Sequence, residues 1–173
     1  LSKLAALPQF KVGWMVLGGR QQRVDAALER LALIADTWLS LSTPSALALG
    51  GLLAASERSR SAILERVRAN HRVLLASVPA DSPISVPRIE AGWVAPIRLP
   101  AVLDDEAWAL HFLAEHAVLV HPGHLYDFPK GTHVVVSLLV EEEVFAEGLG
   151  RLIAAVDSVL ANPGLDSVGI GSD

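Results

Sequence analysis

Ser2-Lys3, then Ala6-Leu7-Pro8-Gln9-Phe10-Lys11-Val12-Gly13-Trp14, then the apolar run Met15 to Leu17 and the pair Gly18-Gly19: this opening stretch decides how the rest of the chain is read. A lysine follows a small hydroxyl residue directly and stands eight residues before a second cation, with a proline turn between the two. Val12 to Leu17 reads as a buried strand, closed by glycines that free the backbone to turn. One lysine at a chain start means little, because most lysines are solvated. A lysine in this setting is a candidate nucleophile.

Working outward, apolar and helical segments alternate. Gln21 to Ala35 has Val24, Leu28, Leu31 and Ala35 at helical spacing. Thr43-Pro44 reads as an N-cap followed by proline at the first helical position. Glu57 to Val78 is a long amphipathic helix, with Ile63, Leu64, Val67, Leu74, Leu75 and Val78 set against an arginine-rich side. Pro79-Ala80-Asp81-Ser82-Pro83 is a loop. Ile84 to Ile89 and Trp93 to Leu99 read as two strands of a hairpin turning at Glu90-Ala91-Gly92. Asp104-Asp105-Glu106 opens a helix at its dipole's positive end. Strands at Val118 to Val120 and Val134 to Val140 flank a loop from Pro122 to Thr132, and Glu141 to Leu160 closes as an amphipathic helix. The expected class is α/β, with α+β character after Pro79. Residues 1–56 are expected to form the end of one domain, 57–161 a linking helix and a smaller domain, and 162–173 a loose tail rich in Gly, Ser and Asp.

Composition narrows the function classes. Hydrophobic residues make up 51% of the 173, yet no stretch reaches the roughly 18 uninterrupted apolar residues of a membrane helix. A net charge of -5 without a basic stripe argues against nucleic-acid binding. The absence of cysteine removes disulfides and thiolate metal sites together and suits a cytoplasmic protein. Five of the six histidines fall between His111 and His133, but their spacing gives no two-His helical pair, so no metal site is expected. The chain starts at Leu1 and its single methionine is Met15, so it is read as beginning inside a longer protein.

Three groups of residues carry a resemblance. The first is Ser2, Lys3, Ala6, Leu7, Val12 and Gly13, with Lys11 where arginine is usual; the second is Ala91-Gly92-Trp93 leading to Ile97-Arg98-Leu99-Pro100; the third is His121 to Phe128 followed by Val134-Val135-Val136-Ser137. In order and spacing they resemble the lysine segment, small-domain hairpin, Pro-Gly-x-x-Phe loop and Arg-apolar-Ser strand of fold-type I aminotransferases that use pyridoxal 5'-phosphate. The resemblance covers the chain to about Ala161 and implies the carboxy-terminal half of such an enzyme: the lysine-bearing end of its large domain and its small domain. It implies that Lys3 holds the cofactor covalently and acts as proton shuttle, and that Ser2 and Lys11 bind the cofactor phosphate. It also implies a small-molecule amino donor and a keto acid as substrates. A homodimer is implied as well, in which Ser42 and Thr43 serve the neighbour's phosphate.

The chemistry suits those residue types. A lysine amine condenses with an aldehyde only when neutral, so desolvation or a neighbouring cation must disfavour its proton. Lys11 folded back supplies that cation, although an ammonium gives a point charge where arginine gives a two-pronged fork. One departure bears on specificity: the arginine that clamps the substrate carboxylate in the family falls at Val135, and valine pairs no carboxylate. Arg98, Lys130 and His133 are the candidate substitutes, His133 because it shares a strand face with Val135. Trp93 and Tyr126 complete the candidate substrate residues. Two other readings stay open: a carbon-sulfur lyase on the same scaffold, and a non-catalytic cofactor-binding sensor domain of a regulator.

Overall fold

The computed structural model describes residues 1–38 and 41–162. The chain divides into two compact units, Leu1–Ala62 and Ile63–Asp173. The expected tail beyond Asn162 lies outside the described residues.

In the first unit a loop over residues 1–12 precedes helix α1 (Gln21–Thr37), helix α2 (Thr43–Ala55) and the start of α3 (Glu57–Ser77). Leu1, Ala5 and Val12 are buried, with Leu7, Phe10, Leu49, Leu52 and Leu53 packed on them. Pro44 falls in the first turn of α2, but the N-cap is Ser42, one residue ahead of the expected Thr43. The expected strand Val12 to Leu17 does not form. Val12 is buried, whereas Met15 and Val16 are 72% and 88% exposed. A strand satisfies its N–H and C=O groups only through a neighbour, and no other strand is described in this unit.

The second unit is α+β. Strands β1 (Val94–Leu99), β2 (His121–Pro122) and β3 (Thr132–Ser137) form an antiparallel sheet in the order β1-β3-β2, joined by helices α4 (Asp105–His116) and α5 (Glu142–Ala161). Ala95, Ile97, Leu99 and Val134 put one face of the sheet into a core with Leu74 of α3, Trp108 and Phe112 of α4, and Leu149, Leu152, Ala155 and Val156 of α5. Trp108 stacks on Phe112 with centroids 5.2 Å apart, and its indole N–H donates to the Pro100 carbonyl at 3.0 Å. Asn70, wholly buried on α3, donates to the carbonyls of Leu138 and Val140 at 3.0 and 2.9 Å, tying the helix to the β3–α5 connection.

Three strand expectations are corrected here. The hairpin shrinks to β1 and a single bridge, Ser85 opposite Arg98. Extending that antiparallel register by two residues sets Pro87 against Pro96, and neither has an N–H to give. Val118 to Val120 is not a strand: pairing is confined to His121 with Val135 and Pro122 with Val134. β3 stops at Ser137 rather than Val140: the Leu138 N–H still donates to the Trp93 carbonyl at 2.8 Å, but the carbonyls of Leu138 and Val140 are taken by Asn70 of α3 rather than by a strand.

Candidate functional site

Expected site residues occur in both units. In the first, the loop of residues 1–12 closes on itself. The Leu1 nitrogen donates to the Val12 carbonyl at 2.6 Å and the Ala5 N–H to the Leu1 carbonyl at 2.9 Å. Pro8 starts a one-turn 3-10 helix, Pro8–Phe10, whose pre-set φ turns the chain back. Lys11 caps that turn with φ 50° and ψ 40°, and Ala6 has φ 56°. Left-handed conformations cost residues with a Cβ roughly 1–2 kcal/mol each, and packing of Leu1, Ala5 and Val12 holds them. The closure places Ser2 and Lys3 beside one end of the loop and Lys11 beside the other. Ser2 is half-buried; Lys3 and Lys11 are exposed. At the entry to α2, Ser42 makes no side-chain cap, so its hydroxyl is not spent on the helix.

In the second unit the sheet has a second face. Strand alternation puts Val94, Pro96 and Arg98 of β1 on it, opposite Ser137, Val135 and His133 of β3. Arg98 and His133 are thus direct cross-strand partners, and Val135 is the next residue of that face. Val135 is buried, so the position that carries arginine in the resemblance is here a packed apolar one.

His133 is held from several sides. Its backbone N–H donates to the Asp105 carboxylate at 2.8 Å, its Nδ1 to the Gly131 carbonyl at 3.0 Å, and its ring stacks on Phe128 at 4.4 Å. Because a carbonyl only accepts, Nδ1 carries the proton there and Nε2 is left for another partner. Phe128 stacks in turn on Tyr126, and Tyr126 on His121, whose Nδ1 lies 2.8 Å from the Tyr126 hydroxyl. Two glycines make the cluster possible. A Cβ on Gly123 would meet the His133 carbonyl oxygen at 2.5 Å, so only glycine lets the turn Gly123–Tyr126 approach β3. Gly131, at φ +84°, lies under Arg98 and His133, whose Nε and Cε1 are 3.0 and 3.4 Å from where its Cβ would be.

Arg98, His133 and Tyr126 are therefore brought into one cluster. Trp93 stands apart from it: half-buried, one residue before β1, on the alternation of core-facing Ala95 and Ile97. Phe128, Gly131 and Asp105 are cluster members that sequence reasoning did not single out. The signal for Gly131 was its place just before a strand; the stacking of Phe128 on His133 had none. Where Val118 to Val120 leave β3 unpaired, a cavity of about 430 Å³ opens. Val120, Val135, Val136, Val144, Phe145 and Leu152 line it, with the Glu147–Arg151 ion pair among its walls. Among the described residues, no three His, Asp or Glu side chains gather to hold a metal ion, and no helix is long and apolar enough to cross a membrane.

No protein-family model and no curated protein sequence matches the chain. Solved structures do. An aminotransferase from Escherichia coli superposes with a TM-score of 0.68 at 20% identity, over 90% of this chain and 40% of its own. The aspartate aminotransferase of Rhizobium meliloti gives 0.61 at 19% identity, again over 90% and 40%. The α-aminoadipate aminotransferase LysN of Thermus thermophilus, solved with N-(5'-phosphopyridoxyl)-L-leucine, gives 0.58 at 24% identity over 79% and 36%. The chain thus spans well under half the length of these enzymes. At such identities the likeness establishes the fold, and the fold-type I resemblance read from the sequence is borne out at that level.

Proposed function

We propose that this chain, having an aminotransferase fold, is the carboxy-terminal, lysine-bearing part of a pyridoxal-phosphate-dependent aminotransferase that moves an amino group from an amino acid or amine to a keto acid. The observation that carries the reading is the loop of residues 1–12, in which Leu1, Ala5 and Val12 pack together with Ser2-Lys3 beside one end and Lys11 beside the other. An amine, a hydroxyl and a second cation are the donor set that an aldehyde bearing a phosphate requires.

Pyridoxal phosphate, when bound, supplies the aldehyde that takes up the amino group and a ring that withdraws electrons from the carbon bearing it. The chain's own residues then divide the work. Lys3 Nζ holds the cofactor between turnovers and, once displaced by the substrate amine, moves a proton at the substrate's α-carbon. Lys11 lends positive charge that attracts the phosphate. Ser2 Oγ donates a hydrogen bond to the same phosphate. Ser42 and Thr43, exposed at the start of α2, serve the phosphate of a partner subunit in a homodimer. Tyr126, Arg98 and His133 are the candidate substrate-binding residues of the second unit.

The test is amino-group transfer by the full-length protein supplied with cofactor, followed as keto acid formed. Lys3→Ala is expected to lower the rate at least about a hundredfold, the usual worth of a positioned acid-base group. Lys11→Ala is expected to weaken cofactor binding by about tenfold or more. Transfer at the unmodified rate in Lys3→Ala overturns the reading.

A further inference from the structure

One helix face of the second unit carries cations that the chain itself does not neutralise. We propose that the solvent side of α3, at Leu64, Arg68, Arg72 and Leu75, is a docking surface for an acidic amphipathic helix of a partner protein. The proposal goes beyond the aminotransferase reading and does not depend on the chemistry at Lys3.

Four observations carry it. All four residues lie in the second unit, and at 3.6 residues per turn they fall within roughly a quarter of the helix circumference, along about 16 Å of its length. They are turned away from Val67, Asn70 and Leu74, which hold the other side of α3 in the core. Leu64 and Leu75 are 47% and 52% exposed, so an apolar side chain stands open at each end of the stripe. Between them Arg68 and Arg72 are exposed and make no ion pair among the described residues, whereas Arg60 and Arg66 of the same helix pair with Glu57 and Glu141. Glu65, three residues before Arg68, pairs with neither arginine.

Like charges one turn apart on a helix repel, and leucines left in water contribute no burial. A partner that brings carboxylates to the middle of the stripe and apolar groups to its ends relieves both. The spacing of four, four and three residues is the spacing at which one helix offers anchors to another. Arginine suits the middle positions, because its guanidinium donates to a carboxylate in pairs while its stem lies along apolar surface. The surface is also pre-organised: α3 is 21 residues long and is held by Asn70 and Leu74 at the level of the stripe, so binding orders little on this side. The net charge of -5 decides between occupants. A nucleic acid or an anionic membrane is large enough to meet the field of the whole molecule, which repels it. A short helix laid on α3 meets only the charges within a Debye length, about 8 Å at physiological salt.

The experiment uses the full-length protein and a labelled synthetic probe, an alanine-based helical peptide with two glutamates between two leucines at the same spacing, together with its glutamine counterpart. Binding is followed by fluorescence anisotropy at low and high salt. The glutamate peptide is expected to bind at least about tenfold more tightly than the glutamine peptide and to weaken as salt is added. Arg68→Glu combined with Arg72→Glu is expected to weaken it by about a hundredfold and to transfer the preference to a lysine-bearing peptide. Leu64→Gln combined with Leu75→Gln is expected to weaken it by about tenfold. The same charge change placed on α1, Arg23→Glu with Arg30→Glu, is expected to leave the affinity within about threefold, since those arginines lie outside the stripe. All these side chains but the leucines are charged and every one is exposed, so the unfolding midpoint of each variant is expected to stay near that of the unmodified protein. No binding of the glutamate peptide, equal binding of the glutamine peptide, or the same loss from the α1 changes as from the α3 changes overturns the proposal. Binding that ignores the two leucines reduces the face to simple ion attraction and overturns it as well. So does tighter binding, through the same two arginines, of phosphatidylserine vesicles or a single-stranded oligonucleotide, which would make the face a polyanion site.

Discussion

The two units bury their apolar residues very differently. In the second, Trp108, Phe112, Ile97, Val134 and Val156 have no accessible surface, and helices α3, α4 and α5 share that core with one face of a sheet. In the first, α1 buries none of its residues, and Leu33 and Ile34 on it are 71% and 56% exposed, with Met15 and Val16 in the run before it more open still. Helix α1 of the first unit is about as amphipathic as α5 of the second, so for these two the difference is not in the residues. It is in whether the elements that would cover them are part of the same unit. An apolar face stabilises a fold only against a partner, and stability in this chain is accordingly concentrated after Ile63.

The largest effect that would break this contrast is a truncation at the centre of the second core. Trp108→Ala removes a stacked, hydrogen-bonded ring and is expected to cost about 3–5 kcal/mol in denaturant unfolding, while Leu33→Ala on α1 stays within about 0.5 kcal/mol. Comparable losses at both positions would show that α1 is covered after all. Next in size is Asn70→Ala, which strands the Leu138 and Val140 carbonyls and is expected to cost about 1–3 kcal/mol by the same measurement. Hydrogen exchange sharpens the comparison by residue: amides on the buried side of α5, around Leu152 and Val156, should exchange at least about tenfold more slowly than those of α1. Equal protection in the two helices would contradict it. Smallest is Asp104→Ala, which removes the side-chain cap on the Ala107 N–H at 2.8 Å, for an expected loss of about 1 kcal/mol.

The same contrast explains what could be read from the sequence. The helices were legible to within a residue or two: Glu57 to Val78 is found as Glu57–Ser77, and Glu141 to Leu160 as Glu142–Ala161. A helix makes its hydrogen bonds inside itself, so its pattern suffices. Strands depend on residues far away in the chain. Val12 to Leu17 has a strand's composition and no strand beside it, Val118 to Val120 lies one step short of the pairing at His121, and the first arm of the hairpin fails at the Pro87 and Pro96 register. The site divides along the same line. The segment around Lys3 was recognisable because its residues are neighbours in sequence. That Arg98 faces His133 is a matter of register, and that Gly131 seats them both follows from a turn conformation; neither is written in local spacing.

The central claim is that Lys3 is the residue that binds the cofactor covalently, and the chain offers three lysines to choose from, Lys3, Lys11 and Lys130. Borohydride reduction of the full-length protein loaded with pyridoxal phosphate, followed by peptide mapping, addresses it directly. The account predicts the phosphopyridoxyl group on the peptide carrying Lys3, with Lys11 and Lys130 unmodified. A reduced adduct on any other lysine, or none at all from a protein that binds the cofactor, would contradict it.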